Sequence, residues 1–226
     1  MGEKIVKLTP AQRFIAKKMK ETVVNSPQAT TCFDVDMGPV VALKEKLKAE
    51  GKNVTVAAFL VKAVALAVKE NPKMNSRFIN GEIHMYDEVN VAMAMAVPNG
   101  LIVPVIKNAD SKDLVAISQD IKTLKEKVDA GKLGPEDMQG GTCSLTSLGN
   151  GRNDIVLPIV NDDITLLLGA GSTHKKPVVL DDDTIGIKNI ANFSCNTNHC
   201  VMYGAEVGKF CTDFAEILEN AEEKLK

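Results

Sequence analysis

The chemistry open to this chain is concentrated in a few side chains. Of three histidines, His199 stands between a run of small polar residues, Ser194-Cys195-Asn196-Thr197-Asn198, and a C-terminal apolar-periodic segment with Gly204 just ahead of it. A strand-to-helix junction holds an imidazole rigidly and leaves it accessible, which suits a general base. His84 alternates within a short hairpin pattern and is expected at the surface or rim, while His174 lies in the polar turn Ser-Thr-His-Lys-Lys and is expected to be solvated. His199, Cys200, Cys195 and Cys211 invite comparison with a metal centre. Neighbours on extended chain point oppositely, however, and the spacing matches no zinc signature, so no metal is expected. Cys200, close to a helix start, has the setting of a low-pKa thiol, but a cysteine nucleophile also needs a separate base. Cys32, Cys143 and Cys211 are expected as small buried hydrophobes. Gly140-Gly141 and Gly149-Asn150-Gly151 lack the spacing of a dinucleotide or nucleotide-phosphate loop and read as turns.

Composition narrows the function classes. The chain has 226 residues, 45% hydrophobic and 25% charged, ordinary values that exclude disorder and collagen-like repeats. Its 27 basic and 29 acidic residues nearly cancel, and with 4% aromatics and no tryptophan a nucleic-acid partner is not expected. The basic face formed by Lys17, Lys18 and Lys20 reads as a solvated helix surface. Five cysteines without a repeated C-x-x-C unit predict free thiols in a reducing compartment. The longest apolar stretch, Val54 to Val68, carries Lys62 and is shorter than the roughly 20 residues a membrane span needs. The N-terminus has no apolar signal core, so a cytoplasmic protein with no membrane partner is expected.

These residues must be positioned by regular elements. Pro10 opens an amphipathic helix in which Phe14, Ile15, Met19 and Val23 recur, ending near Ser26-Pro27. A strand over Thr30 to Met37 follows, then helices over Val40 to Ala49 and Thr55 to Lys69, the second apolar on most of its surface and ended by Pro72. Asn80-Gly81 predicts a hairpin within Arg77 to Met85. Val91 to Val97 alternates large residues with alanine, predicting one strand buried on both faces with something close against the alanines. Pro104 interrupts the next apolar strand. A helix is predicted over Asp113 to Val128, strands over Thr142 to Leu148, Ile164 to Leu168, Val178 to Leu180 and Asn189 to Cys195, and a closing helix over Ala205 to Leu225. The mix is α+β, a single domain over residues 1–226 with helices on one face of a mixed sheet.

Several runs, among them Arg13-Phe-Ile-Ala-Lys-Lys-Met19, Asp34-Val-Asp-Met37, Val97-Pro-Asn-Gly-Leu-Ile-Val-Pro-Val-Ile-Lys-Asn-Ala-Asp110, Ser147-Leu-Gly149 and Pro158-Ile-Val-Asn161, resemble the catalytic domain of the acyltransferase component of 2-oxo acid dehydrogenase complexes. The resemblance covers essentially the whole chain. It implies a chloramphenicol acetyltransferase-like two-layer sandwich, homotrimers with sites at subunit boundaries, and assembly of trimers into a larger core. It also implies acyl transfer between coenzyme A and a dihydrolipoyl group carried on a separate domain or protein. By position, His199 matches the general base and Thr146 a hydroxyl residue donating to the oxyanion. Gly204 matches a glycine after the motif's aspartate, and Arg13 an arginine that pairs with that aspartate.

The histidine motif departs from its relatives, because Asn198 and Tyr203 stand where they carry aspartates and Cys200 where they carry arginine. Tyrosine can hydrogen-bond to Arg13 but cannot neutralise it, so Arg13 must find another anion, face water or weaken the packing there. The imidazole remains usable if its other nitrogen donates to a backbone carbonyl. Relatives usually continue past the last helix into an apolar tail, whereas this chain ends Glu222-Glu-Lys-Leu-Lys226, which argues against a large core more than against a trimer. With no lipoyl module ahead of the domain, the lipoyl group is expected from elsewhere. Two alternatives stay open: a trimeric scaffold or coenzyme A-binding protein with weakened catalysis, and an acyltransferase to a small-molecule acceptor.

Overall fold

The computed structural model describes residues 2–97, 100–148, 151–160 and 163–225; Pro98, Asn99, Gly149, Asn150 and Asn161, named in the motifs above, lie outside the described residues. Helix α1 (Pro10–Asn25) begins at a reciprocal cap between Thr9 and Gln12, and its last turn is closed by the Ser26 N–H donating to Thr22 O. Its apolar side chains do not find a core within the chain, since Phe14 is 67% and Ile15 52% exposed. Strand β1 (Gln28–Asp36) and helices α2 (Gly38–Ala49) and α3 (Val56–Glu70) follow. Thr55 caps α3 through the Ala58 N–H, and the helix is sealed in the core, with Phe59, Val61, Val64 and Val68 fully buried. The hairpin of β2 (Ser76–Ile79) and β3 (Glu82–Met85) turns at Asn80-Gly81, whose φ values of +51° and +85° are those a two-residue type I′ turn requires.

The strand expected over Val91 to Val97 is two strands. Only β4 (Val91–Met93) lies in the main sheet; β5 (Met95–Val97) pairs instead with β6 (Gly100–Ile102), leaving Ala96 exposed. The ladder ends where the Ala94 N–H donates to Leu145 O at 3.1 Å, and on the other flank β7 (Val105–Ile106) begins only after Pro104. Alternating large and small side chains mark a strand but not where its partners run out. The close approach expected at the alanines occurs at Ala92, where a Cβ on Gly141 would come within 3.0 Å of the alanine Cβ. Helix α4 (Leu114–Asp129) is capped by Asp113, and β8 (Cys143–Ser147), β9 (Leu166–Ala170), β10 (His174–Val179) and β11 (Ile185–Asn198) complete the strands. His174 therefore opens a strand and does not sit in a turn. The closing helix is also two pieces, α5 (Gly204–Glu219) and α6 (Ala221–Lys224), broken at Asn220.

The sheet has the order β1-β11-β9-β8-β4-β7, with β10 on β11. The β4–β8 and β8–β9 pairs are parallel and the others antiparallel, so the sheet is mixed. Alternation sends Leu145, Leu166, Leu168, Phe193 and Cys195 into one core with α3 and α5. Phe193 meets Phe214 of α5 edge-on at 5.0 Å, and burying side chains of this size is worth roughly 1.5–3 kcal/mol each. The opposite face carries small and polar residues such as Gly169, Ser194 and Asn196 beside a small apolar cluster of Val160, Ile164 and Leu167. There the Ser194 hydroxyl donates to Val156 O, and a Cβ on Gly169 would strike both groups, so glycine lets the chain around Val156 lie against the sheet.

Candidate functional site

The site is built where β11, the longest strand, runs out. Asn198 is 1% exposed and holds the turn with main chain and side chain together. Its N–H donates to Thr165 O at 3.0 Å, its carbonyl accepts from the Val201 and Met202 N–H groups at 3.0 Å, and its Oδ1 accepts from the Cys200 N–H at 2.9 Å. A short carboxamide at a strand end closes such turns because it reaches the backbone two residues on. His199 itself donates its N–H to Pro27 O at 2.7 Å. Val201 and Met202 then enter the core at 1% and 2% exposure. The turn is pinned on both sides while the His199 and Cys200 side chains face out.

Tyr203 follows, 61% exposed, with its ring centroid 6.1 Å from the imidazole in an edge-on arrangement. Lys73 Nζ lies 5.2 Å from the tyrosine ring centroid and also bonds both oxygens of Glu206, at 3.0 and 3.2 Å. Glu206 in turn accepts the Tyr203 N–H at 3.0 Å and so caps α5. The Lys73 hydrogen bond first, and the Tyr203 N–H second, hold the Glu206 carboxyl below its usual range. Tyr203 thus stands between the imidazole and a Lys73–Glu206 ion pair. Arg13 does not join them; exposed on α1, it donates to Leu8 O at 2.8 Å and faces water. Gly204 opens α5 with no heavy atom within 4 Å of where a Cβ would stand, so nothing in this chain alone demands glycine there.

Thr146 lies elsewhere. It is half-buried on β8 and level with Gly169 of β9, whereas the β11–β9 register puts His199 level with Ile164, five residues further along. At about 3.3 Å per residue and about 4.8 Å per strand spacing, the two backbones stand roughly 19 Å apart. A single copy therefore does not bring the imidazole and the hydroxyl to one reacting atom.

The remaining candidates separate by burial. Cys143 is fully enclosed and its thiol is pushed up to about 12 by burial. Cys195 and Cys211 face one another; Cys195 is raised by its hydrogen bond with Cys211 and by burial, so it stays a thiol. Cys32 is exposed, contrary to the expectation of a buried hydrophobe, because β1 is an edge strand whose outer face carries no helix at that point. His84 is exposed, 3.7 Å from Glu82, and His174 lies 3.0 Å from Asp154. Among the described residues no group of three or more His, Cys, Asp or Glu side chains converges as a metal site would require. No helix there is long and apolar enough to cross a membrane. Sequence reasoning missed Lys73, Glu206 and Pro27. Glu206 had a signal, standing three residues after Tyr203 at capping-box spacing; Lys73 and Pro27 had none, since only the folded chain brings them near residue 199.

The fold is thus a mixed sheet with helices on one face and an outward histidine pinned at a strand end. The family model described as the 2-oxoacid dehydrogenases acyltransferase catalytic domain matches residues 1–225, and the chain belongs to that family. It is similar to the lipoamide acyltransferase component of the branched-chain alpha-keto acid dehydrogenase complex of Bacillus subtilis (strain 168), 37% identical over 99% of this chain and 54% of that protein. The chain spans about half the length of the curated relatives it matches. Two solved structures are each 28% identical with a TM-score of 0.92, covering 100% of this chain and 95% of theirs. One is the dihydrolipoamide acetyltransferase of Azotobacter vinelandii, studied for the roles of a serine, a histidine and an asparagine in its catalytic mechanism; the other is the cubic core of a pyruvate dehydrogenase multienzyme complex. Chloramphenicol acetyltransferase shares the fold, with a TM-score of 0.61 at 15% identity.

Proposed function

We propose that residues 1–226 form a single acyltransferase catalytic domain, cytoplasmic and free of metal, that moves an acyl group between coenzyme A and a dihydrolipoyl thiol carried on another domain or protein. The observation that carries this reading is His199, an accessible imidazole on a turn pinned to Pro27, Thr165 and Asn198 in a chain of this family. In the forward step His199 takes the proton of the attacking thiol, the thiolate adds to the thioester carbonyl, and the tetrahedral oxyanion collapses with release of the other thiol. Thr146 donates its hydroxyl to the oxyanion from a neighbouring copy, because within one chain it stands roughly 19 Å from the base. A closed ring of identical subunits supplies that neighbour; the ring is a homotrimer that can serve as the unit of a larger assembly.

Steady-state thiol release from acetyl-CoA and from longer and branched acyl-CoAs, with dihydrolipoamide as acceptor, tests it. Turnover near or above about 1 per second, falling at least about a hundredfold in His199→Ala, is the expected outcome. A second reading, a coenzyme A-binding trimeric scaffold with weakened catalysis, is favoured by the bulky Tyr203 ring standing edge-on 6.1 Å from the His199 imidazole. Equal background rates for both proteins with every donor, and with a small hydroxyl or amine acceptor in place of the dithiol, would leave that reading standing.

A further inference from the structure

Beside the His199 turn a cleft of about 430 Å³ opens between the last turns of α1, the β2–β3 hairpin and the end of β11. A volume of that order accommodates a small molecule or the arm of a larger one. Its floor consists of Thr22, Ser26 and Asn198, which are 7%, 6% and 1% exposed. Ser26 Oγ is buried and has no hydrogen-bond partner among the described residues. The Ser26 N–H donates to Thr22 O, while the hydroxyl is left without a partner. A buried hydroxyl without a partner is uncommon and costly, and the residue that carries it lines the cleft. Pro27, the next residue, accepts the His199 N–H, which ties this wall of the cleft to the His199 turn.

The lining also indicates which chemistry fits. Asn25, Asn80 and Asn198 present carboxamides, and Phe78 with Ile79 adds an apolar wall. The charged residues of the lining, Lys18, Glu21 and Asp163, sum to one negative charge, which disfavours a phosphate or carboxylate. A neutral group that both donates and accepts, attached to an aliphatic chain, satisfies such a surface.

We propose that this cleft recognises a carboxamide on the thiol-bearing arm of a substrate, with Ser26 Oγ as its hydrogen-bonding partner. The inference rests on the acyltransferase reading above and adds the part of the substrate that is held. Two arms carry that chemistry, the amide of a dihydrolipoyl acceptor and the pantetheine of the acyl-CoA donor. The assay separates them by pairing each with an amide-free counterpart: propane-1,3-dithiol for dihydrolipoamide, and S-ethyl thioacetate for acetyl-CoA. In Ser26→Ala the preference for one amide-bearing substrate over its counterpart, measured as a ratio of kcat/KM values, is expected to fall about tenfold, the size of one lost hydrogen bond in a desolvated site. The melting temperature should hold or rise, because the variant removes a hydroxyl with no protein partner. Unaltered ratios for both pairs overturn the proposal. If the wild-type protein transfers no acyl group, the acyltransferase reading fails on its own. Calorimetric titration of oxidised lipoamide and of pantetheine into wild type and Ser26→Ala then decides the cleft: binding weakened about tenfold in the variant supports it, and equal or undetectable binding to both proteins overturns it.

Discussion

The two ends of the central sheet are constructed differently. At the β11 end the backbone N–H groups from Asn198 to Tyr203 are tied, to Thr165, Pro27, Asn198 and Glu206. At the β8 end Thr146 has β9 on one flank, while on the other the β4 ladder stops at Met93 opposite Leu145 and the chain departs. An imidazole acting as a base needs its direction fixed by its own chain, and the turn provides that. A hydroxyl on a strand with one open flank is suited to meet a second copy. One fold thus presents a histidine turn tied to its surroundings and a threonine strand with one flank open.

The sharpest way to break that comparison is to disable each end separately. His199→Ala should reduce kcat at least about a hundredfold, and Thr146→Ala by about 10²–10³, with Thr146→Ser retaining most of the rate because the donor is kept. Equal amounts of the two defective chains, unfolded and refolded together, should recover about a quarter of wild-type activity, since each site would draw one residue from each copy. Steady-state kinetics of the mixture read this directly, and no recovery would place both residues in one copy's site.

A smaller effect sharpens the picture of the pinned end. Asn198→Ala removes the acceptor for the Cys200 N–H and the side-chain lock on the turn, and should cost about 1 kcal/mol, read as a shifted denaturant midpoint, with a severalfold fall in kcat. The smallest concerns the α5 cap. Because Glu206 is held below its ordinary value, its contribution to stability is complete above the unfolded glutamate range, about 4.3, and disappears as pH falls through the lower folded value. The melting temperatures of wild type and Glu206→Gln should differ slightly at pH 7 and converge toward pH 3.

Much of the fold was legible in the residues because local rules and tertiary packing agreed. Asn80-Gly81 permits few structures other than a tight hairpin, Pro104 cannot complete a ladder, and Asp113 caps the helix it precedes. Legibility failed where partners decide. Helices α1 and α3 have nearly the same length and both carry apolar residues at helical spacing, yet Phe59 is fully buried and Phe14 is 67% exposed. Periodicity sets which side of a helix is apolar, but not whether the chain itself covers that side. The split of β4 from β5 and the exposure of Cys32 have the same origin, since both depend on which strand or helix arrives alongside.

For the site, the sequence nominated His199, a histidine after a small polar strand and before a helix, and by resemblance Thr146, Arg13 and Gly204. The tertiary structure decided the rest. It turned Asn198 into the fastener of the turn, brought Lys73 from a distant helical turn to Tyr203 and Glu206, left Arg13 in water, and set Thr146 across two strand spacings from the imidazole. The division has a physical reason: hydrogen bonds and turns between near neighbours are written in adjacent residues, whereas distances across a sheet follow from register and strand order, which are fixed only when every strand has found its partner.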